Sequence, residues 1–228
     1  AFEGLSSGLR APQSALRTEA DLPFGLVMAM IILLAIPLGI FYYLQMNMIV
    51  GTIVALVLMV ILAFVFSIVS AHIVSLVGSS NNPVSGMAIL TVVITALFMY
   101  IVGLRGVPNT EMARAGLSAT ILVGTTVCAA AAIGGDVTQD LKIGHVLGGT
   151  PWKMEVAEII GVIAAAPVIG FTFNVLLEQA KMAGQGLGGP ALPAPQSGVM
   201  AVLAEGIITS TSAWPLLIVG IIIGIAII

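Results

Sequence analysis

Residues 22–44 read LPFGLVMAMIILLAIPLGIFYYL, and they open a stretch, residues 22–104, that contains no Asp, Glu, Lys or Arg. A helix that crosses the hydrocarbon core of a bilayer needs about 20 predominantly apolar residues. The uncharged stretch is long enough for several such helices in succession. It therefore predicts that the chain crosses a membrane more than once.

The composition of the whole chain agrees with that prediction. Of its 228 residues, 59% are hydrophobic and only 7% are charged, whereas roughly a quarter of the residues in a soluble domain are charged. The net charge of −3 offers no basic surface to nucleic acid, and the single Cys128 cannot form an internal disulfide. The composition excludes a soluble enzyme, a nucleic-acid binder and a disulfide-stapled secreted domain. It predicts an all-α, polytopic transmembrane helix bundle surrounded by lipid.

Polar and glycine-rich positions divide the chain, taken as one transmembrane domain over residues 1–228, into six predicted spans and one short helix. The spans are expected at about 23–44, 46–77, 85–104, 115–133, 156–177 and 213–228, and the short helix at 198–208. As one helix the second span would be about 48 Å long, well beyond a core of about 30 Å, so we expect a break between Ser67 and His72. Tyr42 and Tyr43 end the first span, where an interfacial aromatic belt is expected. The chain stops within an apolar run, and we expect a central fragment of a longer protein.

Residues 78–86, GSSNNPVSG, form an uncharged break between two apolar spans. Two interpretations stay open: a loop at the membrane surface, or a broken or re-entrant segment at membrane depth that lines a cavity. In the second, Asn81, Asn82 and Ser85 are candidates for a substrate path, because amide and hydroxyl groups both donate and accept hydrogen bonds. His72, just before the break, is either a neutral core histidine or a proton relay.

The most polar stretch of the second half is residues 134–153, GGDVTQDLKIGHVLGGTPWK. On a helix, Asp136 and Asp140 would share one face, and Lys142 and His145 would be neighbours. These four residues are either part of a solvated interfacial helix or contacts for substrate or protons at a pore mouth. Asp136 is the stronger coupling candidate, because it directly follows an uncharged span. The spacing matches no zinc pattern, so the sequence predicts no metal site.

Five strings of sequence together resemble one family of membrane proteins. They are RTEADLP at 17–23, GSSNNPVSGM at 78–87, GGDVTQDLKIGH at 134–145, GTPWK at 149–153 and LPAPQ at 192–196. Their order along the chain is similar to that in the prokaryotic branch of the oligopeptide transporter (OPT) family. The same family contains the yellow stripe-like transporters of metal chelates. The resemblance covers essentially the whole chain, and family members are much longer.

The resemblance implies secondary-active import of small peptides or of peptide-like and metal-chelate substrates, usually coupled to protons, by a multi-pass protein of the cell membrane. It implies no cofactor and no covalent chemistry, and the other partners would be the remaining spans of the full-length protein. Asn81, Asn82 and Ser85 are then the expected substrate path. The expected coupling or gate residues are Asp136, Asp140, Lys142, His145 and His72. Two alternatives remain: an intramembrane enzyme, and a structural subunit of a larger membrane complex.

Overall fold

The computed structural model describes residues 16–106, 110–182, 184, 186, 188–190, 192–210 and 214–227. Within these ranges the chain is helical and contains no strand. The helices are α1 Phe24–Met46, α2 Ile49–Val77, α3 Val84–Val102, α4 Glu111–Val146, α5 Pro151–Met182, α6 Pro195–Ile208 and α7 Trp214–Ile227. One 3-10 turn, Arg17–Glu19, precedes α1, and another, Ser79–Asn81, joins α2 to α3.

Five of the described helices, α1 to α5, are long and apolar enough to cross a membrane. The predicted all-α, polytopic bundle is therefore confirmed. The described part of α7 has 14 residues, and residues 213 and 228 of the span expected there lie outside the described ranges. A sixth full span accordingly stays a prediction.

The break expected between Ser67 and His72 is wrong, because α2 is one continuous helix of 29 residues. The polar side chains that suggested a break face a neighbouring helix instead. Ser67 Oγ donates to the carbonyl oxygen of Ala130 at 3.1 Å, and Ser70 Oγ donates to that of Ala131 at 2.6 Å. Hydroxyls satisfied in this way lie within a helix without interrupting it.

Helix α4 is much longer than the span expected at 115–133, since its 36 residues run to Val146. It begins at the N-cap Thr110, whose side chain accepts from the backbone nitrogen of Ala113. The pair Gly134 and Gly135 does not end the helix; a β-carbon at Gly134 would lie 3.2 Å from Cβ of Ser67, so both glycines belong to the contact with α2. At about 1.5 Å per residue α4 is about 54 Å long, and the whole polar stretch from 136 to 145 is helical.

The bundle is organised around α4, which packs against α1, α2, α3, α5 and α6. One stripe of α4 is fully buried and consists of small residues spaced four apart: Ala119, Val123, Val127 and Ala131. Small side chains let helix backbones approach closely, which is how helices associate in lipid. In contrast, α5 buries only Ala180 among its described residues, so most of its apolar surface is open to lipid or to further spans.

Tyr42, near the end of α1, packs inside the bundle. Its side chain is 1% exposed, and its hydroxyl donates to the carbonyl oxygen of Leu122 at 3.2 Å and lies 2.9 Å from Thr126 Oγ1. These groups belong to α4, so Tyr42 fastens the end of α1 to the central helix. The adjacent Tyr43 is 42% exposed.

Candidate functional site

The connection between α2 and α3, residues 78–83, is called here the α2–α3 turn. Helix α2 ends at Gly78, whose φ of 87° lies in a region that favours glycine. Ser79–Asn81 make a single 3-10 turn, and Pro83 precedes the first residue of α3. The segment thus has a defined, non-α-helical backbone, and it contacts both α2 and α4.

A chain of hydrogen bonds joins this turn to α4 through Asn82 and Ser70. Asn82 Nδ2 lies 2.7 Å from Ser70 Oγ, and Ser70 Oγ lies 2.6 Å from the carbonyl oxygen of Ala131. Ser70 is fully buried. A backbone carbonyl can only accept, so the single hydroxyl proton of Ser70 goes to Ala131, and Ser70 must accept from Asn82. This fixes the orientation of the Asn82 amide; its Oδ1 is buried and has no hydrogen-bond partner among the described residues.

Further contacts hold the α2–α3 turn on α4. The backbone nitrogen of Ser79 donates to Gln139 Oε1 at 2.9 Å, and Lys142 Nζ reaches the carbonyl oxygen of Ser75, near the end of α2, at 3.4 Å. Gly135 lies directly under the Asn82 amide, since a β-carbon there would be 2.6 Å from Asn82 Nδ2. We call Ser70, Ser79, Asn82, Gly135 and Gln139 the turn cluster.

The other residues expected near this break lie outside the cluster. Asn81 is exposed, and its amide donates to the carbonyl oxygen of Val77 at 3.2 Å. Ser85 is exposed in the first turn of α3. The side chain of His72 is exposed too among the described residues, and both interpretations of it stay predictions. Of the three substrate-path candidates, only Asn82 enters the turn cluster.

A second polar region lies between α4 and α5. An open cleft of about 690 Å³ is lined mainly by glycines and apolar side chains, and its charged lining residues are Asp140 on α4, Glu158 on α5 and Arg17 before α1. Asp136 and Glu155 lie close enough to Glu158 to act on its charge. Glu158 Oε1 is buried without a hydrogen-bond partner among the described residues. We call Arg17, Asp136, Asp140, Glu155 and Glu158 the acidic cleft.

The segment before α1 borders this cleft. Arg17 Nη2 donates to the carbonyl oxygen of Gly148 at 2.9 Å, and the backbone nitrogen of Leu22 donates to Glu155 Oε2 at 3.2 Å. The backbone nitrogen of Trp152 donates to the carbonyl oxygen of Ala20 at 3.0 Å. The segment is thereby tied to the connection between α4 and α5.

Sequence reasoning missed several of these residues. Glu155 and Glu158 could have been noticed as two acids three positions apart at the start of an apolar helix, a spacing that places them on one face. Ser70, Gly135 and Gln139 carry no comparable signal, because serine, glycine and glutamine are common and their partners are more than ten residues away in sequence.

The predicted neighbours Lys142 and His145 do not complete the acidic cleft. Lys142 reaches toward α2, and His145 is exposed near the end of α4. Between the described cations and the described carboxylates no contact qualifies as an ion pair. Among the described residues no group of three or more His, Cys, Asp or Glu side chains is arranged to hold a metal ion.

Four of the five strings that carried the family resemblance meet in pairs. The string at 78–87 packs on the string at 134–145 through the turn cluster. The string at 17–23 bonds to the string at 149–153 and to Gly148 beside the acidic cleft. A family model described as "OPT oligopeptide transporter protein" matches residues 6–228. The chain belongs to the OPT family.

Comparison with curated proteins gives the same result for this OPT-family chain. It is 33% identical over 175 residues to a protein of Haemophilus influenzae described as "Putative oligopeptide transporter". That alignment covers 73% of this chain and 28% of the relative, so the chain spans little more than a quarter of the relative's length. No solved structure matches the chain. The family match and the apolar helices of this OPT-family chain identify part of a multi-pass membrane protein.

Proposed function

We propose that the full-length protein is a secondary-active transporter of the cell membrane that moves small peptides or peptide-like substrates, metal chelates included, and uses protons as the coupling ion. The family match and the description of the Haemophilus relative support transport of oligopeptides. The observation that carries the proposal is the placement of two polar regions, one uncharged and one acidic, on two sides of α4. The substrate would use the uncharged region at the α2–α3 turn, and the proton would use the acidic cleft.

The α2–α3 turn supplies the chemistry for a peptide substrate. Each peptide bond offers one donor and one acceptor and carries no net charge. Asn81, Asn82 and Ser85 offer amide and hydroxyl groups that match both. The side chains of Asn81 and Ser85 are exposed, and Asn82 has an unpaired acceptor oxygen among the described residues. Irregular backbone between packed helices is also where transporters place substrate sites.

The acidic cleft supplies carboxylates that can take up and release a proton. Ionisable side chains in membrane-spanning helices mark proton pathways more often than structural contacts. Asp140 lines the cleft opposite Glu158, whereas Asp136 lies one turn back along α4. The geometry therefore favours Asp140 over Asp136 as the coupling residue, in contrast to the order expected from sequence.

The test uses the full-length protein in proteoliposomes, a mixture of isotopically labelled tripeptides, and an imposed inward proton gradient. We expect Asp140→Asn to abolish gradient-driven accumulation while tripeptide exchange across the membrane at equal pH continues. Asp136→Asn should act more weakly. Glu178→Gln is the matched control, because Glu178 is exposed at the far end of α5. Wild-type accumulation by Asp140→Asn would exclude this coupling site, and wild-type protein without any uptake would favour a structural subunit.

A further inference from the structure

We propose that Ser70 and Gly135 are positioning residues for the substrate path: Ser70 fixes the Asn82 amide so that its oxygen accepts from an N–H group of the substrate, and Gly135 makes the room for that arrangement. This inference rests on the proposed function. The inference adds to that function the group of the substrate that is recognised, an amide or ammonium N–H.

The first step is the direction of the hydrogen bonds. Ser70 has one proton, and the carbonyl oxygen of Ala131, 2.6 Å away, takes it. Asn82 is therefore held with its nitrogen toward Ser70 at 2.7 Å and its oxygen turned away. The oxygen is a buried acceptor without a partner among the described residues, and an N–H donor that enters the turn cluster would satisfy it. Without Ser70 the amide could rotate and present either end.

The second step is the space at Gly135. Any side chain there would clash with Asn82 Nδ2 and Ser70 Oγ, which lie only 2.6 Å and 2.8 Å from a β-carbon built on Gly135. Only glycine lets the turn approach α4 closely enough for Asn82 to reach Ser70. Gln139, one turn further along α4, then fastens the same turn through the backbone nitrogen of Ser79.

A matched pair of serines provides the control. Ser67 and Ser70 lie on the same face of α2, and each donates to a carbonyl oxygen of α4. Only Ser70 also accepts from Asn82. Replacing either serine by alanine removes one hydrogen bond to α4, and only Ser70→Ala also removes the contact with Asn82. Ser67→Ala therefore measures the effect of losing the helix–helix bond, and any excess effect of Ser70→Ala reports the contact with Asn82.

The experiment measures initial rates of tripeptide uptake by the full-length protein in proteoliposomes. We expect Ser70→Ala to raise KM about fivefold, the equivalent of about one neutral hydrogen bond, with the maximal rate unchanged, while Ser67→Ala leaves KM unchanged. In an Asn82→Ala background, Ser70→Ala should have no further effect on KM, because Ser70 acts through Asn82. Equal KM values for Ser70→Ala and Ser67→Ala, or a Ser70 effect that persists without Asn82, would overturn the proposal.

A second measurement does not depend on transport. Ser79→Cys places a thiol on the half-buried part of the turn and keeps the backbone nitrogen that bonds Gln139. We expect a membrane-impermeant thiol reagent to label it several-fold faster in the Ser70→Ala background than in the Ser67→Ala background. If the wild-type protein takes up no tripeptide, the proposed function fails, and the labelling rates still decide whether Ser70 holds the turn: equal rates would overturn that role.

Discussion

Replacing Gly135 by alanine should destabilise the protein, although alanine normally stabilises a helix. The added β-carbon would lie 2.6 Å from Asn82 Nδ2, 2.8 Å from Ser70 Oγ and 3.0 Å from Val74 Cγ2, all shorter than the optimal separation of about 3.5–4.0 Å. Ser70 and Val74 are buried on α2 and have little room to move. Asn82 therefore has to give way, and its bond to Ser70 is lost.

The expected change in the free energy of unfolding combines three contributions. Forcing one extra carbon into a packed site costs about 1–3 kcal/mol. The lost hydrogen bond costs about 1 kcal/mol more. Alanine in place of glycine within a helix stabilises the helix by about 1 kcal/mol. The net destabilisation is about 1–3 kcal/mol.

Two other glycines serve as graded controls. A β-carbon at Gly134, on the same helix, would lie no closer than 3.2 Å to its neighbours, and one at Gly161 on α5 would have nothing within 4 Å. When unfolding of the full-length protein is measured in mild detergent, Gly161→Ala should therefore be the most stable of the three variants, Gly134→Ala intermediate and Gly135→Ala the least stable. The close packing of the turn cluster would be refuted if Gly135→Ala were as stable as Gly161→Ala.

Three further outcomes test the packing around α4. Tyr42→Phe should lower the free energy of unfolding by about 1 kcal/mol, because it removes the hydroxyl that bonds to α4; Tyr43→Phe should change it little, and equal effects would contradict the assigned contact. Gly124→Ala places a β-carbon 2.7 Å from Val92 Cγ2, and Val92→Ala removes the atom with which it clashes. The double variant should therefore lose less stability than the sum of the losses in the two single variants; strict additivity would exclude the clash. Arg17→Ala should speed amide hydrogen exchange in the segment before α1, since it removes the bond to the connection between α4 and α5; unchanged exchange would mean that the backbone bonds alone hold the segment.

The helical class of the fold could be predicted because it depends on a property that sequence records directly, the near absence of charge over long apolar runs. The lengths of the helices could not be predicted in this way. The sequence suggested a break in α2 at its serines and the end of a span at Ile133. The break is absent, and α4 continues past Ile133, for the same reason: the hydroxyls of Ser67 and Ser70 and the glycines at 134 and 135 contact a neighbouring helix. Ser70 and Ala131, whose hydrogen bond spans 61 positions of sequence, are an example.

The candidate site could be predicted in part. Asn82 was identified because an uncharged polar run between apolar spans is unusual, and Asp140 because its spacing places it on one helix face with Asp136. Asn81 and Ser85 belong to the same run but are exposed and, among the described residues, make no side-chain hydrogen bond with the turn cluster; nothing in the sequence distinguishes them from Asn82. Glu158 was missed because it lies near the start of a helix that otherwise reads as a plain span, and its relation to Asp140 exists only after α4 and α5 pack together.

The turn cluster and the acidic cleft lie on two sides of one helix, α4. Gly135 and Asp136 are adjacent in sequence, and successive residues of an α-helix are separated by about 100° around its axis. A rotation of α4 by about 20° would move side-chain atoms about 5–6 Å from that axis by about 2 Å, which is enough to break the hydrogen bond from the backbone nitrogen of Ser79 to Gln139 Oε1. The same rotation would carry Asp140 sideways past Glu158. A rotation of this one helix would therefore change the turn cluster and the acidic cleft together, without a relay of intermediate residues.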